Sequence, residues 1–157
     1  MTATGPVTDP IDVYSQVTNV SGTRLGTRYE LPQRRDPAKP GRSLSVAWDA
    51  RFPVVPGLTV SYSYVMRFDQ PGGVAGNHFH RKKQELFYPV HGEFTVVLAD
   101  LESGEREQAD MSGAAPFFLH VPVLVAHAVV ARSAGACLLV LADAPNATGD
   151  EFGAQIC

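Results

Sequence analysis

Two histidines one residue apart, His78 and His80, followed by Glu85 and much later by His127, are the side chains of this sequence best suited to chemistry. On a strand of period 2, positions i and i+2 share a face, so the imidazoles of His78 and His80 project together. Glu85 follows a short basic turn, Arg81-Lys82-Lys83-Gln84, and a neighbouring strand starting there can add a carboxylate oxygen on the same inner face. His127 lies five residues after Pro122 in an otherwise apolar stretch. A buried histidine there needs a polar partner, and a metal held by the other three side chains would supply one. Three neutral imidazoles and one carboxylate suit a single divalent transition metal (Fe, Mn, Zn, Ni or Cu), with positions left open for water or substrate. The expected metal ligands are therefore His78, His80, Glu85 and His127.

The elements that must position these groups are strands. The chain has 14 glycines and 12 prolines, which punctuate short β-branched and aromatic runs and leave no long helical pattern. Strands are expected over 13–20, 43–48, 58–68, 85–90, 93–101, 117–121, 126–131 and 137–142, with a hairpin turn over 102–105. That spacing predicts an all-β sandwich or barrel. The polar, proline-rich stretch 31–42 divides an N-terminal arm (together 1–42) from a barrel over 43–157. Its basic residues Arg34, Arg35, Lys39 and Arg42 are read as solvated. The end of the chain, 144–157, is rich in Asn, Asp and Gly and is expected to pack loosely.

Alternation along 58–68 puts Val60, Tyr62, Tyr64, Met66 and Phe68 on one face and Ser61, Ser63 and Arg67 on the other. If the polar face lines the cavity, Arg67 holds an anionic or carbonyl oxygen of a substrate and Ser63 orients it. Phe87, two residues after Glu85, and Val129, two after His127, should wall the pocket. Glu85 or Tyr64 is the expected proton relay. His91 and His120 fall outside this set and are read as edge histidines.

Length and composition narrow the function further. A chain of 157 residues with 45% hydrophobic and 18% charged residues and a mean hydropathy of −0.04 reads as one folded domain, neither disordered nor membrane-spanning. The net charge of −3 and the lack of a dense Lys/Arg stripe argue against nucleic acid as partner. A small-molecule substrate is expected. Two cysteines, one of them (Cys137) in an apolar run, form no disulfide framework. The N-terminus lacks the basic and apolar regions of a signal peptide, so a cytoplasmic location is expected and the sequon at Asn146 carries no weight.

The stretch from Gly72 to Gly92 resembles the first motif of the cupins: glycine, five residues, His-x-His, four residues, Glu, six residues and glycine, met by Gly72, His78, His80, Glu85 and Gly92. The second cupin motif is kept at Pro122 and His127, whereas Leu124 stands at its glycine and Ala131 at its asparagine. The resemblance implies a small jelly-roll β-barrel with the site in its mouth, commonly a homodimer. Gly76-Asn77-His78-Phe79-His80 with the basic residues that follow looks like the sugar-modifying branch, the sugar-nucleotide 3,4-ketoisomerases and capsular polysaccharide cupin domains. There the position of Glu85 is typically glutamine and the histidines transfer protons without a metal; glutamate here favours a metal. The family's upstream Arg and Tyr positions would correspond to Arg67 and to Tyr62 or Tyr64. The leading expectation is a metal-dependent isomerase or epimerase of a small oxo substrate in carbohydrate or secondary metabolism, catalysed by Glu85, Tyr64 and Arg67. A mononuclear non-haem iron dioxygenase and a non-catalytic ligand-binding cupin are the alternatives.

Overall fold

The computed structural model of the chain describes residues 17–147 and 149–157, and among these no helix is present. In chain order the strands are β1 (Asn19–Gly22), β2 (Thr27–Glu30), β3 (Tyr62–Phe68), β4 (Val74–Phe79), β5 (Glu85–His91), β6 (Glu93–Asp100), β7 (Arg106–Ser112), β8 (Phe118–Val121), β9 (Val125–Ala131), β10 (Ala136–Ala142) and β11 (Phe152–Gly153). They form two antiparallel sheets, β1-β2-β8-β5-β10-β3 and β11-β4-β9-β6-β7, a jelly-roll arrangement that matches the all-β expectation.

Period-2 alternation makes the interior. Phe87, Val140, Leu138 and Leu119 from the first sheet meet Phe94, Val96, Leu98 and Val129 from the second in one buried cluster. The central strands β5, β6, β9 and β10 are buried on their outer faces too. Leu86, Phe118 and Leu141 lie under Leu31, Val54, Val55 and Leu58, while Val97, Ala99, Ala126 and Ala128 lie under Ile156. Double burial explains why these strands read as continuous apolar runs.

Those two covers correct the sequence reading of the irregular segments. The expected strand over 43–48 is reduced to a single bridge between Arg34 and Leu44, because Ala47 and Trp48 are used as an apolar cover over the first sheet and make no ladder. Half of the expected strand over 13–20, residues 13–16, lies outside the described residues; β1 begins only at Asn19. Residues 27–29, within the stretch read as an arm, pair with β8 and so extend the first sheet. The chain end is not loose: Ile156 is buried and β11 pairs with β4, Phe152 opposite Phe79. The 102–105 turn does connect a hairpin, with Ala99 opposite Arg106.

Two backbone features aim the histidines. Register slips by one residue between Gly76 and His78 where β4 meets β9, which leaves Asn77 as a bulge and sets His78 directly opposite His127. Gly76 (φ 92°) and Asn77 (φ 58°) are both left-handed there, and a Cβ on Gly76 would lie 2.6 Å from the His127 carbonyl oxygen. Leu124, in the turn before β9, also has φ 67°, so the turn keeps a backbone shape that suits glycine although the residue is leucine. Its N–H donates to the His80 carbonyl at 2.7 Å, which ties the turn to the histidine strand. Gly76→Ala should therefore lower stability by about 2 kcal/mol, whereas Leu124→Gly should be neutral or raise it by up to about 1 kcal/mol. Urea unfolding of the two variants checks both signs.

Candidate functional site

Four side chains from both sheets converge at one end of the interior. His78 comes from the bulged β4, His80 from just beyond it, Glu85 from the first residue of β5 and His127 from β9. One ligand-type atom from each lies within 4.8 Å of every other. The His78 ring is 4.7 Å, centroid to centroid, from those of His80 and His127. His80, Glu85 and His127 are each at most 4% exposed.

Hydrogen bonds define where the lone pairs point. The Nδ1 of His80 lies 2.6 Å from the Asp150 carbonyl oxygen, which can only accept, so Nδ1 carries a proton and Nε2 is the nitrogen turned inward. That Nε2 is buried with no hydrogen-bond partner among the described residues. The His127 ring has acceptors on both sides: the Val125 carbonyl 3.2 Å from Nδ1 and Glu85 Oε2 3.1 Å from Nε2. That arrangement requires a cation, a proton or a metal ion, shared between His127 and Glu85. An inward ring nitrogen without a partner and a carboxylate facing an imidazole are a donor set that fits a divalent ion.

Glu85 is the electrostatic centre. Its Oε1 lies 2.8 Å from the Lys83 ammonium and accepts from the Tyr64 hydroxyl at 3.2 Å. Burial by itself would raise the carboxyl, but His127 and Lys83 outweigh it and hold Glu85 at about 2. Lys83 is only 3% exposed and donates its other bond to Asn146 Oδ1 at 2.6 Å. Its place in a run of basic residues disguises it in the sequence; only its position two residues before Glu85, on a strand approach of period 2, hints that it faces inward. Burial, then the charge of Glu85, pushes the Tyr64 phenol well above its ordinary range. Burial and the neighbouring His127 lower His78 to about 4, even though Glu151 Oε1, 3.3 Å from its Nδ1, works the other way.

The enclosed space beside these groups is about 40 Å³, lined by Tyr64, Met66, Ala75, Gly76, His78, Glu85, Phe87, His127 and Val129. Tyr64, Phe87 and Val129 thus take the places expected of them. Ser63 and Arg67 do not: both are exposed, because β3 turns its Tyr64 and Met66 face inward and its polar face to solvent. His120 is tied to Gln84 Oε1 at 2.9 Å, behind the site and apart from it.

Two outcomes follow. In metal-free protein, His78 binds its proton near 4 when folded and near 6.5 when unfolded, so the unfolded chain binds more protons between these values. Stability should fall as pH drops through that window, and His78→Gln should flatten the slope; Glu85, at about 2 when folded, extends the loss further into acid, below its ordinary pKa of about 4.3. Unfolding midpoints across pH 3 to 8, on the order of six points, test this. Lys83→Met strands a buried carboxylate and should cost about 3 kcal/mol, and adding Glu85→Gln should recover part of that loss, read as a double-mutant cycle.

Comparison with known proteins places this geometry in context. The fold matches the dTDP-4-dehydrorhamnose 3,5-epimerase of Bacillus anthracis, crystallised with TDP and PPi, at 17% identity, over 86% of this chain and 82% of that one, with a TM-score of 0.73. It matches a variant of QdtA, the 3,4-ketoisomerase of Thermoanaerobacterium thermosaccharolyticum, in complex with TDP-4-keto-6-deoxyglucose, at 15% identity, over 83% and 88%, with a TM-score of 0.70. The RmlC epimerase of Mycobacterium tuberculosis matches at 14% identity, over 85% and 71%, with a TM-score of 0.71. These establish the RmlC-like cupin jelly roll. No curated protein sequence matches the chain. The model of the polysaccharide biosynthesis C-terminal domain matches residues 60–144, from the approach to β3 to just past β10. Since that span covers over half the chain and holds all four convergent side chains, the protein belongs to the polysaccharide biosynthesis C-terminal domain family.

Proposed function

We propose that the protein is an isomerase or epimerase that moves a proton beside the carbonyl group of a nucleotide-linked keto sugar, with a divalent ion held by His78, His80, Glu85 and His127. The observation that carries this reading is one small cavity shared by a phenol, Tyr64, and the ligand-type groups His78, Glu85 and His127. The family is one of polysaccharide biosynthesis, and the fold neighbours carry the names of keto-sugar epimerases and a ketoisomerase. An ion bound by the four side chains would supply a Lewis acid for a carbonyl oxygen.

The chain's own residues do the rest. A cavity of about 40 Å³ accepts a reacting carbonyl group but no sugar ring, so the remainder of the substrate lies in the barrel mouth. Loss of a proton from the carbon beside the carbonyl leaves its electron pair in an enolate; protonation of the opposite face of the same carbon completes an epimerisation, whereas a keto isomerisation protonates the former carbonyl carbon while the first carbon's hydroxyl proton passes to the other oxygen. Tyr64 is held by Glu85 and burial keeps it a phenol; burial also makes it a weaker acid than a free phenol, but an enolate carbon is more basic still, so the phenol is placed to deliver a proton as the enolate collapses.

A second reading of the same reaction dispenses with the ion. The Glu151 carboxylate beside His78 Nδ1, together with the low pKa of that ring, makes His78 a neutral, oriented base at neutral pH, in the cavity it shares with the acid Tyr64. Incubation with TDP-4-keto-6-deoxyglucose in D₂O, followed by mass spectrometry and proton NMR, should show deuterium entering beside the ketone. Tyr64→Phe should slow that exchange by roughly a hundredfold or more. Exchange lost on chelation and restored by Mn(II) or Zn(II) supports the ion; exchange indifferent to chelator and lost in His78→Gln supports the histidine base. No exchange with any keto sugar of this class would overturn the isomerase reading.

A further inference from the structure

The geometry points to Asp150 as the residue that positions the site, fixing both the loop between His80 and Glu85 and the ring of His80. The assignment builds on the reading of this cavity as the reacting site. The loop from Arg81 to Gln84 has no hydrogen-bonded turn of its own, so its N–H groups need acceptors from elsewhere. Asp150 supplies three: Oδ1 accepts from Arg81 and Lys82, each at 3.1 Å, and Oδ2 from Lys83 at 3.1 Å. Its backbone carbonyl accepts a hydrogen bond from His80 Nδ1 at 2.6 Å. One residue thus contacts four consecutive residues, His80 to Lys83, and its carboxylate, 13% exposed, accepts from three successive backbone N–H groups.

The consequences reach the reacting groups from both ends of the loop. At one end the carbonyl bond selects the Nδ1-protonated form of His80 and sends the Nε2 lone pair into the site. At the other, capping the Lys83 N–H fixes where its side chain starts, and the ammonium then reaches Glu85 Oε1 at 2.8 Å. The segment that carries Asp150 is itself held from outside the site: Asn77 Oδ1 accepts from Ile156 and Cys157 at 3.0 and 3.1 Å, and Phe152 stacks on Phe79 at 5.2 Å. Asp150 is a positioning residue: it does not line the cavity and acts through His80 and Lys83.

Asp150→Ala and the milder Asp150→Asn test this, with Asp110→Asn, whose partner Thr95 lies away from the site, as a control for general loss of stability. The first readout is the ring-nitrogen NMR spectrum of His80 in metal-free protein at one fixed pH, which needs neither metal nor substrate. Wild type should show Nδ1 protonated and Nε2 bare; the Asp150 variants keep the backbone carbonyl but lose or weaken the carboxylate's hold on residues 81–83 that keeps it against His80, so they should show an averaged or reversed proton position that Asp110→Asn does not. The second is Ni(II) or Mn(II) affinity by calorimetry, expected to fall roughly ten- to a hundredfold in Asp150→Ala and less in Asp150→Asn. If Asp150→Ala does not fold, Asp150→Asn decides by the same spectrum. An unchanged His80 spectrum in folded variants overturns the assignment, whatever their melting temperatures. If wild type binds no ion, the metal reading fails while the His80 spectrum still decides the role of Asp150.

Discussion

A carboxylate that is 2% exposed stays ionised only when cations and donors surround it, and the whole site is organised around meeting that need for Glu85. Lys83 answers one oxygen and His127 the other, with the Tyr64 hydroxyl adding a hydrogen bond. Each partner comes from a different element, so the ion pair can exist only when β3, β5 and β9 are all in place. The carboxylate is therefore both the chemical centre and a point where the two sheets are fastened together.

The arrangement divides labour between the two oxygens. Because the ammonium of Lys83 sits on Oε1, the side of the carboxylate that faces the imidazoles carries Oε2, and Oε2 lies 3.1 Å from His127 Nε2 and 3.9 Å from His80 Nε2. The same low-dielectric surroundings that make the pair strong also keep Tyr64 a phenol and lower the proton affinity of His78. Desolvation thus acts in opposite directions on neighbouring groups, separating a proton donor from a proton acceptor inside a cavity of about 40 Å³.

The outer layers serve the inner one. A jelly roll with both faces of its central strands buried needs covering chain on both sides, and here residues around 47–58 cover one sheet while the chain end covers the other. The second cover has a double use, since the segment that buries Ile156 also delivers Asp150 to the basic turn and Glu151 to His78. Packing on the outside of the second sheet is thereby linked to the orientation of side chains on its inside, through a bulge at Asn77 whose side chain receives the chain end.

Strand character, the pairing of His78 with His80 on one face and the addition of Glu85 and His127 were legible in the sequence, because period-2 alternation and residue chemistry are local properties. The sequence also located Phe87 and Val129 beside the site by the same alternation. It did not decide which face of 58–68 points inward. Alternation separates Tyr64 from Ser63 and Arg67, yet only the sheet opposite determines which set is buried, and there the aromatic face met the core and left the polar one in water. Nor did it reveal Lys83, indistinguishable by composition from the exposed Arg81 and Lys82, or the chain end, whose Asn, Asp and Gly content reads as loop. Those roles depend on contacts such as Asp150 with residues 81–83, nearly 70 positions away in the chain, and a contact at that separation is settled by tertiary packing.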